Sequence, residues 1–160
     1  MDIFEFALEM EQEGMELYLK IAGDSDDEGI KKIFTMLASD EKAHQEVIRN
    51  MRSGNPGVKE TEVLSKARDI FAGIKDGGGG VDVSQPQADL YRLAGGIEEE
   101  SVRFYLEKAE EEEDPGRKAI FKALAGEEKK HLFLLEHIID FVSRPETWLE
   151  DAEFNHLDEY

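Results

Sequence analysis

None of the 160 residues is a cysteine. Disulfides, thiolate nucleophiles, zinc ribbons and every cysteine-ligated iron centre are thereby excluded, and any metal ion must be held by oxygen and nitrogen. Basic residues are scarce as well: 19 Lys and Arg stand against 38 Asp and Glu, a formal net charge of −19. Such a charge repels phosphate backbones and anionic lipid, which argues against nucleic acid or a membrane as partner. No apolar run approaches the roughly 18 residues of a membrane span. Met1-Asp2-Ile3-Phe4-Glu5 is not the basic start of a secretory signal, so the chain reads as soluble and cytoplasmic. With 40% hydrophobic residues there is still enough apolar material for the core of one domain, and the acidic excess is for the most part a solvated surface.

Apolar residues recur at helical spacing in four long stretches. Phe4, Ala7, Leu8, Met10, Met15, Tyr18, Leu19 and Ala22 define the first, over 2–23. A second follows Asp24 and reaches about Arg52, with Ser25 or Asp26 expected as its cap and Glu28 placed for a capping box from Ser25. Ser53-Gly54-Asn55-Pro56-Gly57 breaks the pattern, a shorter helical run covers about Thr61 to Ile74, and Gly77 to Gly80 reads as a hinge. The third long helix runs from Pro86 to about Glu113, and Asp114-Pro115 supplies the cap and first-turn proline of a fourth that ends near Ser143. The pattern predicts an all-α four-helix bundle over 1–143, its halves 2–52 and 86–143 joined by a crossover at 53–85. The tail, 144–160, carries Trp148, Leu149, Phe154, Leu157 and Tyr160 among acids and is expected to pack on the bundle or on a partner. A short turn makes neighbouring helices antiparallel, whereas this long crossover lets the third helix run parallel to the second.

The two halves are copies. Residues 7–22 against 94–109, and 29–44 against 116–131, share 15 identities in 32 positions at one offset of 87. Composition alone would give roughly two or three, so the repeat is real. Ile33/Ile120, Phe34/Phe121, Leu37/Leu124 and Ala38/Ala125 need no function, because two similar helix pairs bury similar faces.

The repeated polar residues need more. Each half has a Glu, a Tyr seven residues later, and Glu-x-x-His on the next helix: Glu11, Tyr18, Glu41, His44, and Glu98, Tyr105, Glu128, His131. Residues three apart lie on one helical face, so a Glu and the following His can converge on one metal ion. Phe34, Leu37, Ala38, Glu41, His44 and Ile48 step along a single apolar stripe, and Phe121, Leu124, Ala125, Glu128, His131 and Leu135 repeat it. Four carboxylates and two imidazoles then point into the interior, where an unpaired charge costs several kcal/mol. Two divalent cations neutralise that set. A Glu from each of two helices with Glu-x-x-His from each of the other two is the ligand pattern of ferritin-like di-iron and di-manganese proteins, and the long crossover predicts the ferritin-like connection. Tyr18 and Tyr105 by themselves also read as core aromatics. His137 lies about 240° around the helix from His131 and faces elsewhere, His156 has no partner spacing, and Gly77 to Gly80 lacks the Lys-Ser/Thr of a phosphate loop.

At these residues the sequence resembles the rubrerythrin branch of the ferritin-like family. Ala7-Leu8-Glu9-Met10-Glu11 through Tyr18, Asp40-Glu41-Lys42-Ala43-His44, Glu98 through Tyr105, and Glu127-Glu128-Lys129-Lys130-His131 carry the likeness over most of both helix pairs. The resemblance implies that Glu41 and Glu128 bridge or chelate the metals, that Glu11 and Glu98 are terminal ligands, and that His44 and His131 complete one ion each. It implies hydrogen bonds from Tyr18 and Tyr105 to ligand carboxylates. Two departures stand out. A further glutamate, one turn after the terminal ligand of the third helix in characterised rubrerythrins, is Ser101 here. A rubredoxin-like electron-transfer domain needs cysteines that this chain does not have.

The expectation is therefore a di-metal carboxylate protein. Iron leads, with manganese or zinc as other occupants, because carboxylate and imidazole suit Fe and Mn and zinc brings no redox chemistry. The expected activity is reduction of peroxide or dioxygen with electrons from an external donor protein. The competitors are an iron-binding, ferroxidase or storage protein, and a metal-free interaction module. Apolar residues in the tail and crossover are compatible with a homodimer.

Overall fold

Small polar residues mark where each long helix begins. In the computed structural model, which describes residues 1–78 and 81–143, Asp2 accepts from the Glu5 amide (2.8 Å), Asp27 from Ile30 (2.9 Å), Ser84 from Gln87 (3.2 Å) and Asp114 from Arg117 (2.9 Å). Each such cap satisfies an amide that the helix itself leaves unpaired. The helices that follow are α1 (Ile3–Asp24), α2 (Glu28–Asn50), α3 (Val63–Asp76), α4 (Gln85–Glu111) and α5 (Pro115–Ser143), and no strand occurs among the described residues. Pro115 sits at the first position of α5, where the missing amide hydrogen is no loss. The cap expected from Ser25 or Asp26 is instead Asp27. Ser25 is not free for that role, because its hydroxyl donates to Ile21 O (2.7 Å) and accepts from Gln87 (2.9 Å), closing the end of α1 onto α4. The tail at 144–160, with its expected packing and His156, lies outside the described residues, as do Gly79 and Gly80.

Pairings between helices give the topology. Asp2 meets Arg52, Gln12 meets Gln45 (2.9 Å) and Tyr18 packs on Phe34, so α1 and α2 are antiparallel. Glu11 meets Tyr105 and Tyr18 meets Glu98, so α1 and α4 are antiparallel as well, which leaves α4 parallel to α2. This is the all-α ferritin-like bundle with its long crossover. α3 belongs to the crossover and packs on the bundle through Val63, Leu64, Ala67 and Phe71, whose ring lies 4.5 Å from that of Phe141 on α5.

Two apolar clusters fill the interior. One gathers Tyr18, Ile21, Phe34, Leu37, Tyr91, Leu134 and Ile138 with the buried face of α3, and the other gathers Ala7, Ile48, Tyr105, Phe121, Leu124 and Ala125. Repeat mates fall in opposite clusters: Tyr18, Phe34, Leu37 and Ala38 in the first, Tyr105, Phe121, Leu124 and Ala125 in the second. Between them lies a polar layer.

The crossover approaches the bundle closely at two repeat-related glycines. A Cβ on Gly29 would collide with the branched side chain of Ile70 on α3, and one on Gly116 would meet only the amide end of Asn55. Gly29→Ala should therefore destabilise the fold by about 1–3 kcal/mol in a denaturant titration, the typical penalty of overpacking. Gly116→Ala should be near neutral, because the exposed Asn55 swings aside and alanine is the better helix former by roughly 1 kcal/mol. Equal losses in the two variants would contradict this packing.

Candidate metal centre

The polar layer is built from two turns each of α1 and α4 and one turn each of α2 and α5. Glu11 and Tyr18 come from α1, Glu41 and His44 from α2, Glu98 and Tyr105 from α4, and Glu128 and His131 from α5. None is more than 3% exposed. All eight residues named from the sequence thus reach one place.

Helical spacing brings each Glu and its following His to one side, but the closest contacts run between halves. His44 Nδ1 donates to Glu128 Oε1 at 2.7 Å and lies 3.4 Å from Glu11 and 3.9 Å from its own Glu41. His131 Nδ1 donates to Glu41 Oε1 at 2.9 Å, with Glu98 at 3.5 Å and its own Glu128 at 3.6 Å. The tyrosines cross over too: Tyr105 donates to Glu11 at 2.6 Å and Tyr18 donates to Glu98. Two groups of donor atoms result, Glu11, Glu41, His44 and Glu128, and Glu41, Glu98, Glu128 and His131, each with its atoms within 4.8 Å of one another. Glu41 and Glu128 belong to both. The imidazole rings stack 6.0 Å apart across the layer.

The electrostatics follow from crowding and burial. Burial and repulsion from Glu11, Glu128 and Glu98 hold the Glu41 carboxyl well above the usual range. Burial with repulsion from Glu11 and Glu98 pushes Glu128 up to about 8. Glu98 is buried too, which alone would raise it, but the adjoining Glu128 carboxyl, the His131 imidazole and the Tyr18 hydroxyl bring it down to about 2. Glu11 is lowered in the same way, burial being outweighed by Glu41, His44 and Tyr105. Burial opposes charge on the imidazoles, yet the surrounding carboxylates raise His44 to about 10 and His131 well above its ordinary value. Tyr18 and Tyr105 are driven far upward by burial and the same carboxylates, so both phenols stay protonated and act as donors.

Whether cations fit is decided by what the protein leaves unpaired. Glu11 Oε2, Glu98 Oε2 and Glu128 Oε2 are fully buried with no hydrogen-bond donor. A buried acceptor without a partner costs about 1–3 kcal/mol, and more when charged. Hard oxygen and imidazole nitrogen in two groups of four, with orphaned oxygens in both, match the needs of two divalent cations.

Three residues at the layer carry roles that the repeat alone does not show. Asp40, immediately before Glu41, accepts from His131 Nε2 at 2.9 Å and from the Thr61 hydroxyl. Burial alone would raise Asp40, but these hydrogen bonds and the charge of His131 hold it below the usual range. Thr61, on the crossover, has no counterpart in either repeat. The available signal was the acid preceding each Glu-x-x-His, Asp40 and Glu127. Ser101 is buried, and its hydroxyl turns back to Ile97 O (3.0 Å). His137 faces away, as its spacing implies, with Nδ1 on Phe133 O at 2.8 Å.

A four-helix bundle with a buried layer of paired Glu and Glu-x-x-His residues defines the di-metal carboxylate class and suggests a site for two metal ions. The Rubrerythrin family model matches residues 2–139, and the chain belongs to that family. In a solved structure, "Hypothetical Protein Pfu-1136390-001" from Pyrococcus furiosus, the same fold recurs with a TM-score of 0.63 at 20% identity, over 91% of this chain and 90% of that one. The comparison with curated proteins finds no match. No helix among the described residues is long and apolar enough to cross a membrane.

Proposed function

We propose that this layer binds two iron ions and that the protein is an oxidoreductase reducing peroxide or dioxygen with electrons from a partner protein. The observation that supports the reading is that Glu41 and Glu128 belong to both donor groups, so that the residues that would hold two cations form one continuous set. Bound there, a pair of iron ions supplies the electrons and the Lewis acidity that such a reduction requires. The protein does the rest. Glu11, Glu98, His44 and His131 each serve one position, while Tyr18 and Tyr105 hold the Glu98 and Glu11 carboxylates in orientation. The apolar clusters on either side exclude bulk water. A cleft of about 440 Å³ between α2 and the crossover, lined by Asp40, His44, Lys59 and Glu60 among others, gives a small oxidant or an incoming ion a route to the His44 side.

Iron binding or ferroxidase activity without peroxide turnover is the second reading. It is favoured by Ser101, which puts a hydroxyl bonded to its own helix where the resemblance implies another carboxylate. Protein purified without chelator should contain about two metal ions per chain by elemental analysis. Rapid oxidation of the reduced protein by peroxide, repeated when an electron donor is supplied, supports the enzyme. One oxidation per site followed by mineral growth supports storage. Absence of any metal, with no change in stability on chelation, would leave only an interaction module.

A further inference from the structure

The twofold repeat is broken at one point, and the crossover breaks it. Asp40 and Glu127 are repeat mates, each directly preceding a shared glutamate. Symmetry would have Asp40 support His131 and Glu127 support His44. Only the first bond exists: His131 Nε2 donates to Asp40 Oδ2 at 2.9 Å. Glu127 is otherwise occupied, its Oε1 accepting the Thr61 amide (2.6 Å) and its Oε2 pairing with Lys130 (2.7 Å). No described residue hydrogen-bonds His44 Nε2, and that ring lines the cleft beneath the crossover.

Thr61 stands at the junction. Its amide reaches Glu127, its hydroxyl donates to the same Asp40 oxygen that holds His131, and that hydroxyl also accepts from the Val63 amide (3.1 Å) at the start of α3. Together these contacts tie Thr61 to α2, α5 and α3. With Asp40 pinned by Thr61, the Nε2 of His131 is committed to Asp40 and its Nδ1 is presented to Glu41, Glu98 and Glu128. An imidazole with its second nitrogen held in this way loses its rotational freedom, whereas one without such a partner keeps more of it.

We propose that Thr61 is a positioning residue of the metal centre, acting through Asp40 to fix the ring of His131, so that the crossover makes the two metal positions unequal. The His131 position is the rigid, tighter one. The His44 position, next to the cleft, is the weaker and exchangeable one. This rests on the metal-centre reading above, and the experiment separates the two.

The full chain, stripped with chelator, is titrated with Co(II), reading visible d–d bands and stoichiometry, for wild type, Thr61→Val, Thr61→Ser and Asp40→Ala. Thr61→Val keeps the amide bond to Glu127, so the crossover stays attached, and circular dichroism checks the fold. Wild type should take two Co(II) ions, one more tightly than the other. Thr61→Val should weaken the tighter step about tenfold or more, the usual cost of losing such an orienting partner, and alter its band. Thr61→Ser should restore both affinity and band. Asp40→Ala should match Thr61→Val, and combining the two should add nothing, because they act along one path. If Thr61→Val binds and absorbs as wild type does, or if serine fails to rescue it, the positioning role is overturned and the centre stands. If wild type itself binds no Co(II), the centre falls, and this role with it.

Discussion

Glu41→Gln and Glu128→Gln should each remove both metal ions, while Glu11→Gln and Glu98→Gln should weaken chiefly one. The reason is the sharing of donors: Glu41 and Glu128 occur in both groups of four, Glu11 and Glu98 in one each. Losing even an outer hydrogen-bond partner of a ligand weakens metal binding about 10–100-fold, so loss of a shared ligand should exceed roughly 100-fold for each ion. The stability of the metal-free protein should change little. Burial and neighbouring carboxylates push the Glu41 and Glu128 carboxyls upward, toward the neutral form, and a neutral amide of the same shape replaces that form at little cost. The metal-free variants should therefore unfold within about 1 kcal/mol of the parent. What should vanish is the gain on adding metal. An ion at a hundredfold excess over its Kd stabilises the folded state by about 2.7 kcal/mol. For a domain of this size that is roughly 5–10 °C in Tm per ion. Thermal melts with and without Zn(II) read this directly, and a glutamine variant that still gains the full increment would sink the shared-ligand arrangement.

Affinity for metal should rise steeply with pH across neutrality, and each binding event should release protons. Four groups have folded-state values above their ordinary ones: Glu41, Glu128 at about 8, His44 at about 10, and His131. All four are shifted toward their protonated forms, and each must be deprotonated to become a ligand. Glu11 and Glu98 are lowered and contribute none. With four protons exchanged for two ions, affinity per ion should fall by up to about 100-fold for each pH unit lost where all four groups are protonated. The slope should flatten above about pH 8, where Glu128 ionises on its own, and flatten again as pH approaches 10, where His44 does. Chelator competition at pH 6, 6.5, 7 and 7.5, with calorimetry in buffers of different ionisation enthalpy to count the protons, tests both slope and stoichiometry. Affinity independent of pH over that interval would show that the cluster does not hold those protons.

The charge balance links the two predictions. With four carboxyls and two imidazoles, the chain alone would reach neutrality with two protons on the central glutamates and both histidines charged, the direction in which all four groups are shifted. Two divalent cations reach the same balance without them. On this balance metal binding would replace protons in the layer and give partners to the buried Glu11, Glu98 and Glu128 oxygens that the protein leaves without one.

Much of this was legible in one sequence, because duplication writes the same message twice. An offset of 87 relates Glu11 to Glu98, Tyr18 to Tyr105, Glu41 to Glu128 and His44 to His131, and helical periodicity places each of them on a buried stripe. Those are local rules, acting within three to seven residues, and they determined the helices, the crossover and the membership of the polar layer. The cap of α2 shows where local rules compete: Ser25 is a good capping residue in isolation, but Gln87 and Ile21 engage its hydroxyl and Asp27 takes the cap.

Which partner each side chain takes is another matter. Tyr18 serves Glu98, 80 residues away, His44 meets Glu128, 84 away, and His131 meets Asp40, 91 away. Nothing in the spacing of either half states that the contacts run between halves, or that Thr61 would spend its hydroxyl on Asp40 and its amide on Glu127. Periodicity decides which way a side chain faces. Only the packing of four helices and the path of the crossover decide what it faces, and here that packing brings two copies of one motif into a single polar layer, with Asp40 bonded to His131 at one end and Glu127 turned to Thr61 at the other.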